Sequence, residues 1–167
     1  VDKRLRPDLA ILDSDFLQDL PPALIADTGF DVLTHAIEAY TASNAGTIPD
    51  LLAQEAFRTA YACLPASYAG NKEVRLRLHM ASTLAGMAFS QSGLGLCHAM
   101  AHVLGARFHI PHGRLNAILL PAVISSNAPA AQQKYARLAR AAGLGGSADT
   151  IALRNLKNGL IRLRKDL

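Results

Sequence analysis

The stretch GLCHAMAHVLGARFHIPHGRLNA, residues 95–117, gathers four of the chain's six histidines among small and apolar residues. Ala, Leu and Met are good helix formers, and no alternation of apolar and polar residues runs through the segment. The spacing therefore predicts helices over 95–107 and from 113 onward, divided at His109-Ile110-Pro111. His98 and His102 stand one turn apart and share a face. The rest of that helix is Leu96, Cys97, Ala99, Met100, Ala101, Val103 and Leu104. Imidazole buried in such surroundings needs a partner, because an unpaired polar group is costly away from water.

The same helical texture extends outward in both directions. From Ala23 onward the spacing predicts helices over 22–43, 51–69, 72–90, 95–107, 113–126, 130–142 and 148–165, with breaks where Gly, Pro, Asn and Ser cluster. An all-α, multi-helix bundle follows. Residues 1–22 read as a lead-in: a short β-compatible run from Leu9 to Leu12, a one-turn helix from Asp13, and a double proline. At 167 residues, 50% hydrophobic and 18% charged, the chain can bury one proper core. Lys and Arg give a net charge of +4 but are scattered, which argues against a nucleic-acid partner. No apolar run approaches a membrane span and no signal segment is evident, so no membrane partner is expected. Cys63 and Cys97 stand alone in apolar text, which suits reduced thiols and a cytoplasmic location.

A second constellation lies at 27–40, DTGFDVLTHAIEAY. Asp31 and His35 are four apart, about 5–6 Å at Cβ on a helix, which suits two ligands of one ion. Their neighbours Phe30, Val32, Leu33, Ala36 and Ile37 are apolar, so the carboxylate must be paired or coordinated. An Asp–His hydrogen bond or a helix cap would also serve. Taken with His98, His102 and His112, however, the pair forms an N/O donor set of the kind divalent transition metals favour. Four such ligands without thiolate leave room for substrate, as at a catalytic ion. The spacing does not decide between His98 and His102 as the ligand. His98 is followed by Ala99 and Met100, so the HExxH protease signature is absent. Paired ExxH motifs of a di-iron bundle are absent as well.

TGFDVLTHAIEAY, STLAGMAFSQSGLGLCHAMAHVLG and FHIPHGRLNAILLPAVISSN, in this order, resemble the iron-containing (group III) alcohol dehydrogenase family. Within it they are closest to the propanol and ethanol dehydrogenases of propanediol and ethanolamine utilisation. The resemblance runs from about residue 7 to 127 and implies a dehydroquinate synthase-like C-terminal helical domain. It further implies a metal held by Asp31, His35, His98 and His112. His102 would be a catalytic residue beside the ion, and Phe89 would line the substrate pocket. The implied cofactors are Fe(2+), or Zn(2+) or another divalent metal, and NAD(P) in the full-length enzyme. The implied partners are a small alcohol or aldehyde and further copies of the chain in a homo-oligomer.

The family's nucleotide-binding domain has no counterpart here: GLGG at 143–146 follows no strand, and no cofactor-binding residue is assigned. The expected organisation is therefore residues 1–22 as a linker and the tail of an absent nucleotide-binding domain. Residues 23–167 would be a helical metal-binding catalytic domain, cut short in LIRLRKDL and inactive by itself. PHGRLNA departs from the family at Arg114 and Leu115, which bears on local substrate contacts. Of the remaining polar residues, His79 reads as a rim residue and His109 as a loop residue. Glu38 lies seven after Asp31 on the same face, either supporting a ligand histidine or at the surface. Met80, Met87 and Met100 are core filler. The rival reading is a non-catalytic helical metal-binding or interaction module, which an upstream nucleotide-binding domain would exclude.

Overall fold

A computed structural model describes residues 4 and 7–167. Residues 1–3, 5 and 6, the start of the expected linker, lie outside the described residues. The described residues form six α-helices: α1 Pro22–Thr41, α2 Thr47–Tyr68, α3 Glu73–Ser92, α4 Leu96–Phe108, α5 His112–Ala141 and α6 Asp149–Asp166. No strand occurs among the described residues, as the sequence predicts. None of these helices is long and apolar enough to cross a membrane.

Small residues set the packing. Ala36, Ala39, Ala53, Ala56, Ala60, Ala81, Ala85 and Ala88 are fully buried along α1, α2 and α3, so these helix backbones approach closely. Larger side chains fill the space beyond them: Leu33, Ile37, Phe57 and Leu64 on one side, and Leu120, Ile124, Leu138, Leu156 and Leu160 under α5 and α6. Each such side chain contributes roughly 1.5–3 kcal/mol by leaving water. α1 is the central element, touching α2, α3, α4 and α5. Pro22 starts it, where a missing N–H costs nothing. Near its C-terminal end, Lys134 of α5 donates to the Tyr40 carbonyl at 2.6 Å and approaches the Asp50 carboxylate at 3.1 Å.

Three local expectations fail. Met80, Met87 and Met100, expected as core filler, are exposed on the helix surfaces. The helices expected over 113–126 and 130–142 are one 30-residue helix that passes through both Pro121 and Pro129. Proline removes a hydrogen bond and crowds the preceding turn, but the apolar stripe continues across it. Val123 and Ile124 before Pro129, and Tyr135, Ala136, Leu138 and Ala139 after it, all enter the core. Burial on both sides outweighs the local penalty of about 3 kcal/mol. The β-compatible run Leu9–Leu12 forms no strand: Leu9 and Ile11 are exposed, and no neighbouring strand is there to pair with. The one-turn helix is present as a 3-10 turn at Ser14–Leu17, capped by the Asp13 carboxylate on the Asp15 N–H at 2.9 Å. The buried Arg75 of α3 ties this lead-in to the bundle through the Leu17 and Gln18 carbonyls.

Candidate metal centre

Three helices bring the polar residues together. α1 supplies Asp31, His35 and Glu38, α4 supplies His98 and His102, and α5 begins on His112. The connection between α4 and α5 is three residues long. His109 closes α4 in the left-handed conformation at φ 54°, and Pro111 precedes α5. Gly113 then packs directly on the Asp27 backbone, where a Cβ would lie 1.8 Å from the carbonyl oxygen. This backbone contact sets the start of α5 one turn from Asp31. Arg114 reinforces it with two contacts to the Asp27 carboxylate, at 3.2 and 3.1 Å.

Asp31, His98 and His112 each offer a donor atom, and these atoms lie within 4.8 Å of one another. His98 Nε2 and His112 Nε2 are both 3.3 Å from Asp31 Oδ1. His35 is adjacent but outside this closest set. Its Nδ1 is 3.6 Å from Asp31 Oδ2, and its ring stacks on His98 at 4.3 Å and on Phe89 at 4.6 Å between centroids. Phe89 is thus a wall of the cluster. The exposed ring of His102 sits 4.9 Å from that of His112 and 6.2 Å from that of His98, beside the closest donor set rather than within it. The four expected ligands, His102 and Phe89 therefore occupy one neighbourhood. His79 lies apart, in a cavity of about 310 Å³ under the lead-in, and His109 is exposed.

Electrostatics show what this arrangement demands. His98 is 2% exposed and lies between two carboxylates, with Nδ1 2.7 Å from Glu38 Oε2 and Nε2 facing Asp31. Burial disfavours its charge, but Asp31 and Glu38 outweigh burial and push its pKa up to about 9. Burial also opposes ionisation of Asp31 and Glu38. The His98 contacts, the other histidines around Asp31, and backbone N–H groups on Glu38 hold both below the usual carboxylate range. His35 is driven down to about 4 chiefly by burial, and burial lowers His112 as well. Two carboxylates, Glu38 buried and Asp31 partly buried, on either side of the His98 ring call for positive charge between them. A proton on His98 supplies it without metal, and a divalent cation suits the same donors. The residues therefore fit a metal ion.

Asn116 also belongs to this neighbourhood, although no sequence pattern singled it out. Fully buried, its amide nitrogen lies 2.7 Å from Asp31 Oδ1, 3.1 Å from His112 Nε2 and 3.4 Å from His98 Nε2. Its position four after His112, on the same helical face, was the available signal. Cys97 Sγ lies 3.6 Å from Asn116 Oδ1, outside the closest donor set, and burial pushes its thiol up to about 12. It is a buried packing residue.

Comparison with known proteins identifies the family. Residues 25–167 match the model of the Fe-containing alcohol dehydrogenase family, C-terminal. The chain is 46% identical over 166 residues to the NADPH-dependent butanol dehydrogenase of Clostridium saccharobutylicum, covering 99% of this chain and 42% of that protein. It is 49% identical over 164 residues to the 1-propanol dehydrogenase PduQ of Citrobacter freundii, covering 95% and 43% respectively. The solved structure of the iron-containing alcohol dehydrogenase from Thermococcus thioreducens superposes with a TM-score of 0.84 at 42% identity, over 96% of this chain and 43% of that one. The chain thus spans about two fifths of the length of the relatives it matches.

Proposed function

The chain belongs to the Fe-containing alcohol dehydrogenase family, and from that premise we propose that it is the metal-binding part of an NAD(P)-dependent alcohol dehydrogenase. Asp31, His35, His98 and His112 hold the ion, Fe(2+) first among the candidates, with Zn(2+) or another divalent metal compatible with the same donors. When bound, the ion supplies Lewis acidity that polarises the oxygen of an alcohol or aldehyde. The observation that carries this reading is the convergence of Asp31, His98 and His112 donor atoms within 4.8 Å, from three separate helices.

The chain's own residues would then divide the work. Phe89, stacked on His35, presents an apolar wall to the carbon chain of the substrate and fixes that ring. His102, exposed beside His112, accepts the hydroxyl proton at a ring nitrogen during oxidation and returns it during reduction. A nicotinamide held by a nucleotide-binding domain preceding this chain, to which residues 1–22 would be the linker, would supply the hydride chemistry at the substrate carbon. Two buried free cysteines suit a reducing cytoplasm, and the reading includes a homo-oligomer.

The test is nicotinamide reduction by the full-length enzyme that contains this chain, with ethanol or 1-propanol, before and after chelation. Activity that falls on chelation and returns with Fe(2+) supports the reading. Activity indifferent to chelation, or absent from metal-loaded protein with both NAD and NADP, counts against it.

A further inference from the structure

Glu38 belongs to neither the proposed ligands nor the substrate wall, yet it is 4% exposed and both its carboxylate oxygens make directed contacts. Its Oε1 accepts the Cys97 N–H at 2.6 Å. Its Oε2 accepts the Gly95 N–H at 2.9 Å and the His98 N–H at 3.4 Å, and lies 2.7 Å from His98 Nδ1. The first turn of α4 carries N–H groups without helical partners and the positive end of the helix dipole, and the Glu38 carboxylate satisfies both. The same two oxygens thus hold the backbone that carries His98 and the ring of His98.

The geometry points to Glu38 as the positioning residue of the metal centre: from α1 it clamps the α4 backbone and the His98 ring so that His98 Nε2 faces Asp31. This inference rests on the proposed metal centre. An Nδ1–H donated to Glu38 leaves the Nε2 lone pair for the ion, the arrangement by which a carboxylate behind a ligand imidazole fixes tautomer and orientation. Asp31 and Glu38 are seven residues apart on α1, on one face, so a single helix presents both a ligand and the support of another ligand. Gly95 is part of the device. A Cβ there would fall 2.8 Å from Glu38 Oε1 and 3.1 Å from its carboxyl carbon, so any larger residue displaces the carboxylate.

Two substitutions test this, Glu38→Gln and Gly95→Ala, singly and combined, with Co(2+) and Zn(2+) affinity measured by chelator competition. Glu38→Gln keeps the volume but removes the charge that binds the ring N–H. Loss of a carboxylate of this kind costs about 10–100-fold in metal affinity, and that loss is expected here. Gly95→Ala should produce a loss of the same order, and the double variant little more than either alone, because both act through one carboxylate. A purely structural cap would not change two further readouts. One is the Co(2+) absorption spectrum; the other is the downfield Nδ1–H proton resonance of His98 in the Zn(2+)-loaded protein, expected to vanish in Glu38→Gln. Should Glu38→Gln fail to fold, Gly95→Ala decides. Unchanged affinity and unchanged spectra in the variants, with metal bound normally by the parent, would overturn the positioning role alone. A parent that binds neither metal would overturn the metal centre and this inference with it.

Discussion

Gly113 offers a quantitative test of how the fold builds the centre. Replacing it with alanine places a methyl carbon 1.8 Å from the Asp27 carbonyl oxygen, 2.4 Å from its carbonyl carbon and 3.1 Å from its Cα. All three are backbone atoms in α1, so no side-chain rotation relieves the clash. Reaching an ordinary carbon–oxygen contact requires the α1 and α5 backbones to separate locally by about 1.5 Å. Forcing an extra methyl into a closely packed crossing costs about 1–3 kcal/mol. For a domain of this size the thermal midpoint should fall by about 5 °C. The same displacement moves His112, the adjacent residue, away from Asp31, to which its Nε2 now stands at 3.3 Å. Ligand distances tolerate only about 0.2 Å, so metal affinity should fall by an order of magnitude or more. Differential scanning calorimetry of the chelated protein reads the first effect and chelator competition the second. A variant with the parent's midpoint and the parent's affinity would refute the claim that this backbone contact sets the position of His112.

Two further substitutions separate roles that the sequence alone leaves merged. In the full-length enzyme His102→Ala should leave metal content unchanged, because His102 lies outside the closest donor set and its ring is exposed, while kcat falls about 10²–10⁴-fold from loss of the proton acceptor. Elemental analysis beside steady-state kinetics checks both; a lost metal would instead make His102 a ligand. Pro129→Ala should stabilise the protein by about 1–3 kcal/mol in denaturant unfolding, since Pro129 is exposed and lies within continuous helix. Destabilisation would favour the break that the sequence suggests at that point.

The all-helical class was legible because Ala- and Leu-rich periodicity runs through the whole chain, and most helix ends coincide with Gly, Pro or Asn clusters. Pro129 misled because a local rule carries no information about the core on both sides of it. Only the buried Tyr135 and Leu138, set against Ile124, reveal why α5 continues. At the site, four-residue spacing brought out Asp31 with His35 and His98 with His102, but spacing on one helix says nothing about distances between helices. The choice of His98 over His102 came from family resemblance. Its physical basis is visible in the fold, since His98 is buried between two carboxylates and His102 is exposed. Glu38 could be placed on the correct face from sequence, yet its role depends on the start of α4 meeting that face, a tertiary contact across 57 or more residues. Asn116 was missed because an amide four residues after a histidine is common on buried helices.

The most direct test of the metal centre is elemental analysis of anaerobically purified protein alongside Asp31→Ala and His98→Ala. The account predicts about one equivalent of iron or zinc per chain in the parent and its loss in both variants while each remains folded, since Asp31 and His98 both belong to the closest donor set. A parent free of metal after incubation with Fe(2+) and Zn(2+), or variants that retain a full equivalent, would contradict it.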